Sequence, residues 1–265
     1  MADGKSAFSA DEISEASAEL VRIVHSQLPK EVQAEGVAAE DWRLVGPCMV
    51  VKAAGTLQAM LDLLPARRTV DATILLRSLY EGTLAFAWIA LDPPANLPRW
   101  LKRSVIQAIK GDDDWARVGI GVLDKENRDY GEAKANDQSV PVAPDAATMA
   151  DQVDRQWGHA YPRIAQLTGE PADVVSFRGM YRHVYRMGSG ESHYELRTLR
   201  PFYTTDALGG VLVHREKPDQ WALYPWLFGT HVLGLGLLIG STQFGWPSSD
   251  DVLVALAKAS IVILD

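Results

Sequence analysis

Val50, Ala53, Leu57, Met60 and Leu64 recur at three- and four-residue steps, with Lys52, Gln58 and Asp62 between them. That period predicts a helix over about 40–64 with one buried face, closed by Pro65. Upstream, Ser9 stands three residues before Glu12, a capping box that opens a helix running to about Leu28, with Pro29 near its stop. The densest apolar run is Ala72–Leu91, where Arg77 and Glu81 are the only charged residues. Ile74, Leu75, Leu76, Leu79, Leu84, Phe86, Trp88 and Ile89 cover almost every face, so this stretch predicts a central helix. Asp92-Pro93-Pro94 ends it. An amphipathic helix follows over about 97–110, carrying Arg99, Lys102, Arg103 and Lys110, before Gly111 and Asp112–Asp114 break the pattern.

Residues 124–146 are polar, contain Pro141 and Pro144, and read as the longest loop. Helical character returns over about 146–167, with Pro162 marking a break, and again over about 172–187, ahead of Gly188-Ser189-Gly190. Gly209-Gly210, between Thr- and Val-rich runs, signals a small β-hairpin near 201–216. An apolar helix near 222–244 and a short amphipathic one near 249–264 complete the series. There is no internal repeat, no βαβ alternation and no linker between folded units. The pattern therefore predicts an all-α fold, a helical bundle forming a single domain over 1–265, with residues 1–8 frayed and at most that one hairpin.

Composition narrows the function classes. With 265 residues, 47% hydrophobic and 23% charged, the chain can bury a sizeable core. Its 34 acidic residues exceed its 26 basic ones, for a net charge of −8, which disfavours duplex binding by a whole-surface positive field but allows a local basic patch. The lone Cys48 excludes an intrachain disulfide and any multi-cysteine zinc site. The polar first residues lack a signal peptide's apolar segment, so a cytoplasmic protein is expected. Trp221–Trp246 has no Lys, Arg, Asp or Glu, is long enough to cross a bilayer, and contains the small-xxx-small pattern Gly236–Gly240. Pro225, His231 and five glycines dilute its hydrophobicity and no basic cluster follows, so a buried helix is expected rather than a membrane span.

Two constellations carry candidate chemistry. Arg77 and Glu81, four residues apart, share a helix face and can pair. Their stripe continues into Leu84 and Trp88, which points to burial, so the pair either ties the bundle together or lines a polar cleft. The second constellation is Phe177–Arg200. Arg178, Arg182 and Arg186 step by four, Tyr181 and Tyr185 do the same on an adjacent face, and from 178 to 200 five arginines face Glu191 and Glu195, a local balance of +3. Arginines beside tyrosines suit phosphate contact with ring stacking, as RNA or a nucleotide requires. Ordinary ion pairing with nearby acids is the competing reading. Glycines 188 and 190 let His193 fold back towards Arg186. There a histidine could move the proton of a 2′-hydroxyl while the arginine holds the phosphate, which suffices for a metal-independent ribonuclease.

Arg77-Ser-Leu-Tyr-Glu81 on an apolar helix, the Asp92-Pro93 break, and Tyr185, Ser189 and His193 about a hundred residues later resemble a bacterial and archaeal helical family of uncharacterised function. The resemblance covers roughly 45–245. More loosely, Arg186 followed by His193 resembles the HEPN superfamily of helical toxin and defence ribonucleases. Met187 replaces the usual polar residue after the arginine, and two glycines interrupt the spacer. That resemblance implies a homodimer with its active site across the interface, with His193 and Arg186 catalytic.

Other chemistries are poorly represented. Gly188-Ser-Gly-Glu-Ser192 is no nucleophile elbow, and no P-loop, dinucleotide fingerprint, His-x-x-x-His or Glu-x-x-His occurs, so no metal and no cofactor is expected. Three readings follow. In the first, a polar cleft with Arg77, Glu81, Arg182, Tyr185 and Ser189 binds a phosphate-bearing ligand or RNA. The second adds catalysis by His193 and Arg186. The third makes the charges structural and the protein an interaction partner.

Overall fold

The computed structural model describes residues 10–28, 40–117, 123–168, 172–173, 175–185, 203–205, 211–213, 223–246 and 249–258. Among the described residues the fold is all-α apart from one pair of short antiparallel strands. Helix α1 spans Ala10–Gln27, α2 Trp42–Leu63, α3 Thr69–Ile89, α4 Pro93–Ala116, α5 Lys125–Asn136, α6 Ala146–Trp157 and α7 Tyr161–Thr168. Helix α8, Phe177–Met180, widens into a π-turn, Tyr181–Tyr185. Strands β1 (Tyr203–Thr205) and β2 (Val211–Val213) pair antiparallel, Thr204 opposite Leu212. Helices α9 (Tyr224–Phe244) and α10 (Ser249–Lys258) follow.

The bundle is organised around α9, which packs against α1, α2, α3 and α10. Being surrounded, it has no face for charge, which accounts for the charge-free run around it. Helices α2 and α9 are both long and apolar enough to cross a membrane by length and composition, but the apolar side chains of α9 are spent inside the bundle. Its glycines mark close approach: a Cβ on Gly234 would meet the Leu256 side chain of α10 at 2.5 Å, and one on Gly240 would overlap the Trp246 ring. Gly245, at φ +66°, supplies the left-handed residue that closes the helix. Polar ties fix the register. The buried Trp226 indole donates to the Met60 carbonyl at 2.5 Å. The Ser17 and Thr230 hydroxyls lie 2.6 Å apart between α1 and α9.

Helix α3 is the second axis. It contacts α2, α4, α6, α9 and the π-turn. Its inward residues include Leu76, Leu79, Tyr80, Phe86 and Trp88, all at most 1% exposed. The Asp92-Pro93-Pro94 break behaves as the sequence implies, and Pro93 then opens α4, where an amide N–H would have no helical partner. The side chain of Asn96 donates to the Trp88 carbonyl and satisfies the end of α3.

Three expectations are corrected. First, α4 does not stop at Gly111 but runs through Asp112–Asp114 to Ala116. Second, residues 124–146 are not one loop, because α5 occupies Lys125–Asn136. The causes of these two differences are shared. Asp124 caps α5 by accepting from the Asn127 N–H. Arg128 then reaches Asp112 and Asp113 on α4, at 2.8 and 2.7 Å, and Glu132 on its own helix at 2.9 Å. The acids that look like a breaker are the acceptors that dock α5. Helix α5 looks like loop because Gly131 is its one buried residue, so it shows no apolar stripe. The rest of the stretch, 137–145, is held by α4: Lys102 donates to the carbonyls of Asp137 and Val140, and Arg103 to that of Pro144. Third, among the described residues of 172–187 helix is confined to α8 and its π-turn, with Ser176 as N-cap.

Candidate functional site

On α3, Arg77, Glu81, Leu84 and Ala85 fall on one face by their four- and seven-residue steps. On α4, Trp100, Arg103, Ser104 and Gln107 do the same. Together with Ala146 and Met149 at the start of α6 they line a cleft of about 280 Å³. Leu84, Ala85 and Met149 are buried and form its apolar floor. Trp100, packed on the core by one side, gives it an aromatic wall. The polar groups stand at its mouth.

Arg77 Nε donates to Glu81 Oε1 at 3.0 Å, as the sequence predicts. The expected burial does not occur: the two side chains are 24% and 44% exposed, so the pair edges a cleft instead of tying the core. On the face of Arg77 and Glu81 burial begins at Leu84, while Leu79 and Tyr80, between the pair in sequence, are buried on the other side of α3. Arg103 donates to the carbonyl of Pro144, and its charge helps to lower the pKa of the adjoining Asp145, after the hydrogen bonds from Thr148. The hydroxyl of Ser104 and the amide of Gln107 face the same space. The described lining thus carries two guanidinium groups against one carboxylate, in a chain whose net charge is −8. Arg103, Ser104 and Gln107 are not singled out by the sequence pattern. Their signal is the amphipathic polar face of α4, which reads as solvated surface until α3 and α6 are placed beside it.

Of the arginine stripe, Arg178 and Arg182 are among the described residues. Arg178, on α8, pairs with Asp151 at 3.3 Å, and its guanidinium lies 5.5 Å from the centre of the Tyr181 ring. Arg182 is exposed on the π-turn. Tyr185 closes that turn. Arg186, Ser189 and His193 lie outside the described residues, as do Gly188, Gly190 and the Gly209-Gly210 turn.

A residue that sequence reasoning missed organises this region. Asp154, on α6, accepts from the backbone N–H groups of Phe177 and Arg178 at 3.0 and 2.8 Å, and from the Tyr161 hydroxyl at 2.5 Å. Its carboxylate satisfies the first N–H groups of α8, where helix-dipole charge also favours an anion. Burial pushes its pKa up, against the opposing pull of the hydrogen bonds from Tyr161, Arg178 and Phe177. The Tyr161 and Tyr80 hydroxyls are likewise held protonated by burial, with Asp154 adding to the effect. No spacing rule picks out a single aspartate whose partners lie on two other segments.

His231, buried on α9, donates from Nδ1 to the Leu227 carbonyl at 2.9 Å, and burial lowers its pKa, so it is a neutral core residue. Among the described residues no group of three or more His, Cys, Asp or Glu is arranged to hold a metal ion.

Residues 44–210 match a family described as a family of unknown function, DUF5677. The chain belongs to this family. The DUF5677 span takes in nearly all of α2, then α3 to α8 and β1, and every residue lining the cleft. Helices α1, α9 and α10, which pack together and against the α2–α3 pair, lie outside it. No curated protein and no solved structure matches the chain.

Proposed function

We propose that the chain is a cytoplasmic binding protein whose α3–α4–α6 cleft takes a small phosphate-bearing ligand. The observation that carries this reading is Arg103, which lines a cleft of about 280 Å³ together with a second guanidinium, Arg77, against one lining carboxylate, Glu81. Arg77, Ser104 and Gln107 supply further donors beside it. A planar guanidinium offers paired N–H groups that match phosphate geometry. The volume sits just below the usual range for small-molecule sites, about 300–1,000 Å³, which favours a compact ligand over an extended RNA strand. Burial of α9 within the bundle supports a location away from the membrane.

Titration calorimetry with ribose 5-phosphate at low salt tests this. Saturable binding that weakens about tenfold or more in Arg103→Ala, and weakens as salt is raised, is the expected result for a phosphate contact. Absence of saturable binding to the wild type, or equal affinity in Arg103→Ala, overturns it. Metal-free cutting of RNA that survives Arg103→Ala and is lost in His193→Ala would instead move the function to the Arg186–His193 pair.

A further inference from the structure

The cleft holds two features that a simple phosphate does not need. One is Trp100, whose ring lines the wall one helical turn from Ser104 and beside Arg103 on the same α4 face. The other is Glu81. Its Oε1 takes the Arg77 Nε–H, while its Oε2 has no partner among the described residues although it stands at the cleft mouth. An anion site gains nothing from a carboxylate edge, because that charge repels the phosphate. It becomes useful when the ligand also brings hydrogen-bond donors. A tryptophan wall likewise contributes little to a phosphate but favours a flat ring, since every nucleobase has a face that stacks on an indole.

We infer that the ligand of this cleft is a nucleoside monophosphate, with its phosphate on Arg103, its base against Trp100 and an N–H edge of the base donated to Glu81 Oε2. The inference rests on the anion-binding reading above and names its substrate class. The base favoured is one with adjacent N–H donors, such as guanine, because one donor reaches Oε2 and the second can share Oε1 with the Arg77 Nε–H, a carboxylate oxygen having two lone pairs. The apolar floor of Leu84, Ala85 and Met149 fits a base edge that makes no further polar demand.

Calorimetry on the full chain with three probes separates the two claims: ribose 5-phosphate, AMP and GMP. Expected is binding of GMP about tenfold or more tighter than ribose 5-phosphate, the scale on which base stacking contributes. Trp100→Ala should weaken GMP far more than ribose 5-phosphate and so erase that advantage. Glu81→Gln should narrow the preference for GMP over AMP. Arg103-dependent binding of ribose 5-phosphate that is as tight as that of either nucleotide overturns the nucleotide assignment and leaves the anion cleft standing. A GMP advantage that persists in Trp100→Ala also overturns it. Should Trp100→Ala fail to fold, Trp100→Phe must retain part of the advantage, and its complete loss there with ribose 5-phosphate binding intact counts against a stacking role.

Discussion

The Tyr80 hydroxyl donates to the carbonyl of Phe177 at 2.8 Å, across 97 residues of chain, and pins α8 to α3 from inside the bundle. Tyr80 belongs to Arg77-Ser-Leu-Tyr-Glu81, so one short stretch serves two purposes. Its outward residues, Arg77 and Glu81, edge the cleft, while Leu79 and Tyr80 are buried. The rings of Tyr80 and Phe177 also meet, with centroids 6.3 Å apart. The cleft rim is therefore mounted on a helix that is locked from its other face.

Tyr80→Phe removes the hydroxyl and keeps the ring. The Phe177 carbonyl still receives the Tyr181 N–H, so it is not stranded. The expected loss is that of one ordinary hydrogen bond, about 1 kcal/mol, read from urea denaturation midpoints with an unchanged m-value. Tyr80→Ala, which also empties a large buried volume, should cost about 3–5 kcal/mol. Equal effects from the two variants would show that the ring packing contributes little.

Glu81→Gln should change stability by less than about 1 kcal/mol, because its partner-facing carboxylate is well exposed and such pairs are screened by solvent. Thermal unfolding at low and high salt checks this. A loss of several kcal/mol would reinstate the buried tie that the sequence suggested. A small loss also licenses Glu81→Gln as a folded protein for binding measurements.

The sequence disclosed the elements better than the site, for physical reasons. Helices α2, α3 and α9 bury large apolar surfaces, so their period or their unbroken apolarity is strong, and Pro93 and Gly245 mark their ends by backbone rules. Helix α5 was illegible because it buries Gly131 alone and is held by Arg128 to acids on α4. Arg77 and Glu81 were legible as a pair by spacing, but whether they face core or solvent depends on how α4 and α6 lie against α3. Arg103 and Asp154 were invisible for the same reason. Each acquires meaning from partners brought in by tertiary structure, the Pro144 carbonyl for one and the start of α8 for the other.

Gly234→Ala should destabilise the bundle at the α9–α10 contact. The added methyl meets three carbons of Leu256, at 2.5, 2.9 and 3.0 Å, and Leu256 is itself 1% exposed. Shifting the leucine relieves the branch tips but not its Cγ, so α10 must move. A loss of about 1–3 kcal/mol is expected for such overpacking. Leu256→Ala in the same background should recover part of it, and a double-mutant cycle measures the coupling. Strict additivity would place the strain elsewhere.

Asp154 gives stability a pH dependence of opposite sign to that of the capping aspartates Asp41, Asp124 and Asp145. Asp41 is lowered to about 2, first by the Arg43 guanidinium and then by the Arg43 N–H, and Asp124 and Asp145 are lowered by N–H groups of the helices they cap, so their contributions are present above the unfolded pKa and fade as pH falls. Asp154 is raised above its ordinary 3.8 by burial, so the folded state binds its proton more tightly than the unfolded state does. Its contribution is then complete below the unfolded pKa and is lost as pH rises through the folded pKa. Neighbouring Asp151 works in the same direction. Asp154→Asn carries a neutral side chain at every pH and serves as the reference, cancelling the other carboxylates. The stability of the wild type relative to Asp154→Asn should therefore fall as pH is raised from about 4, where an unfolded aspartate begins to ionise. Chemical denaturation of both proteins from about pH 4 to about pH 8 measures the difference. A difference that grows with pH would mean that the three donors at Asp154 outweigh its burial.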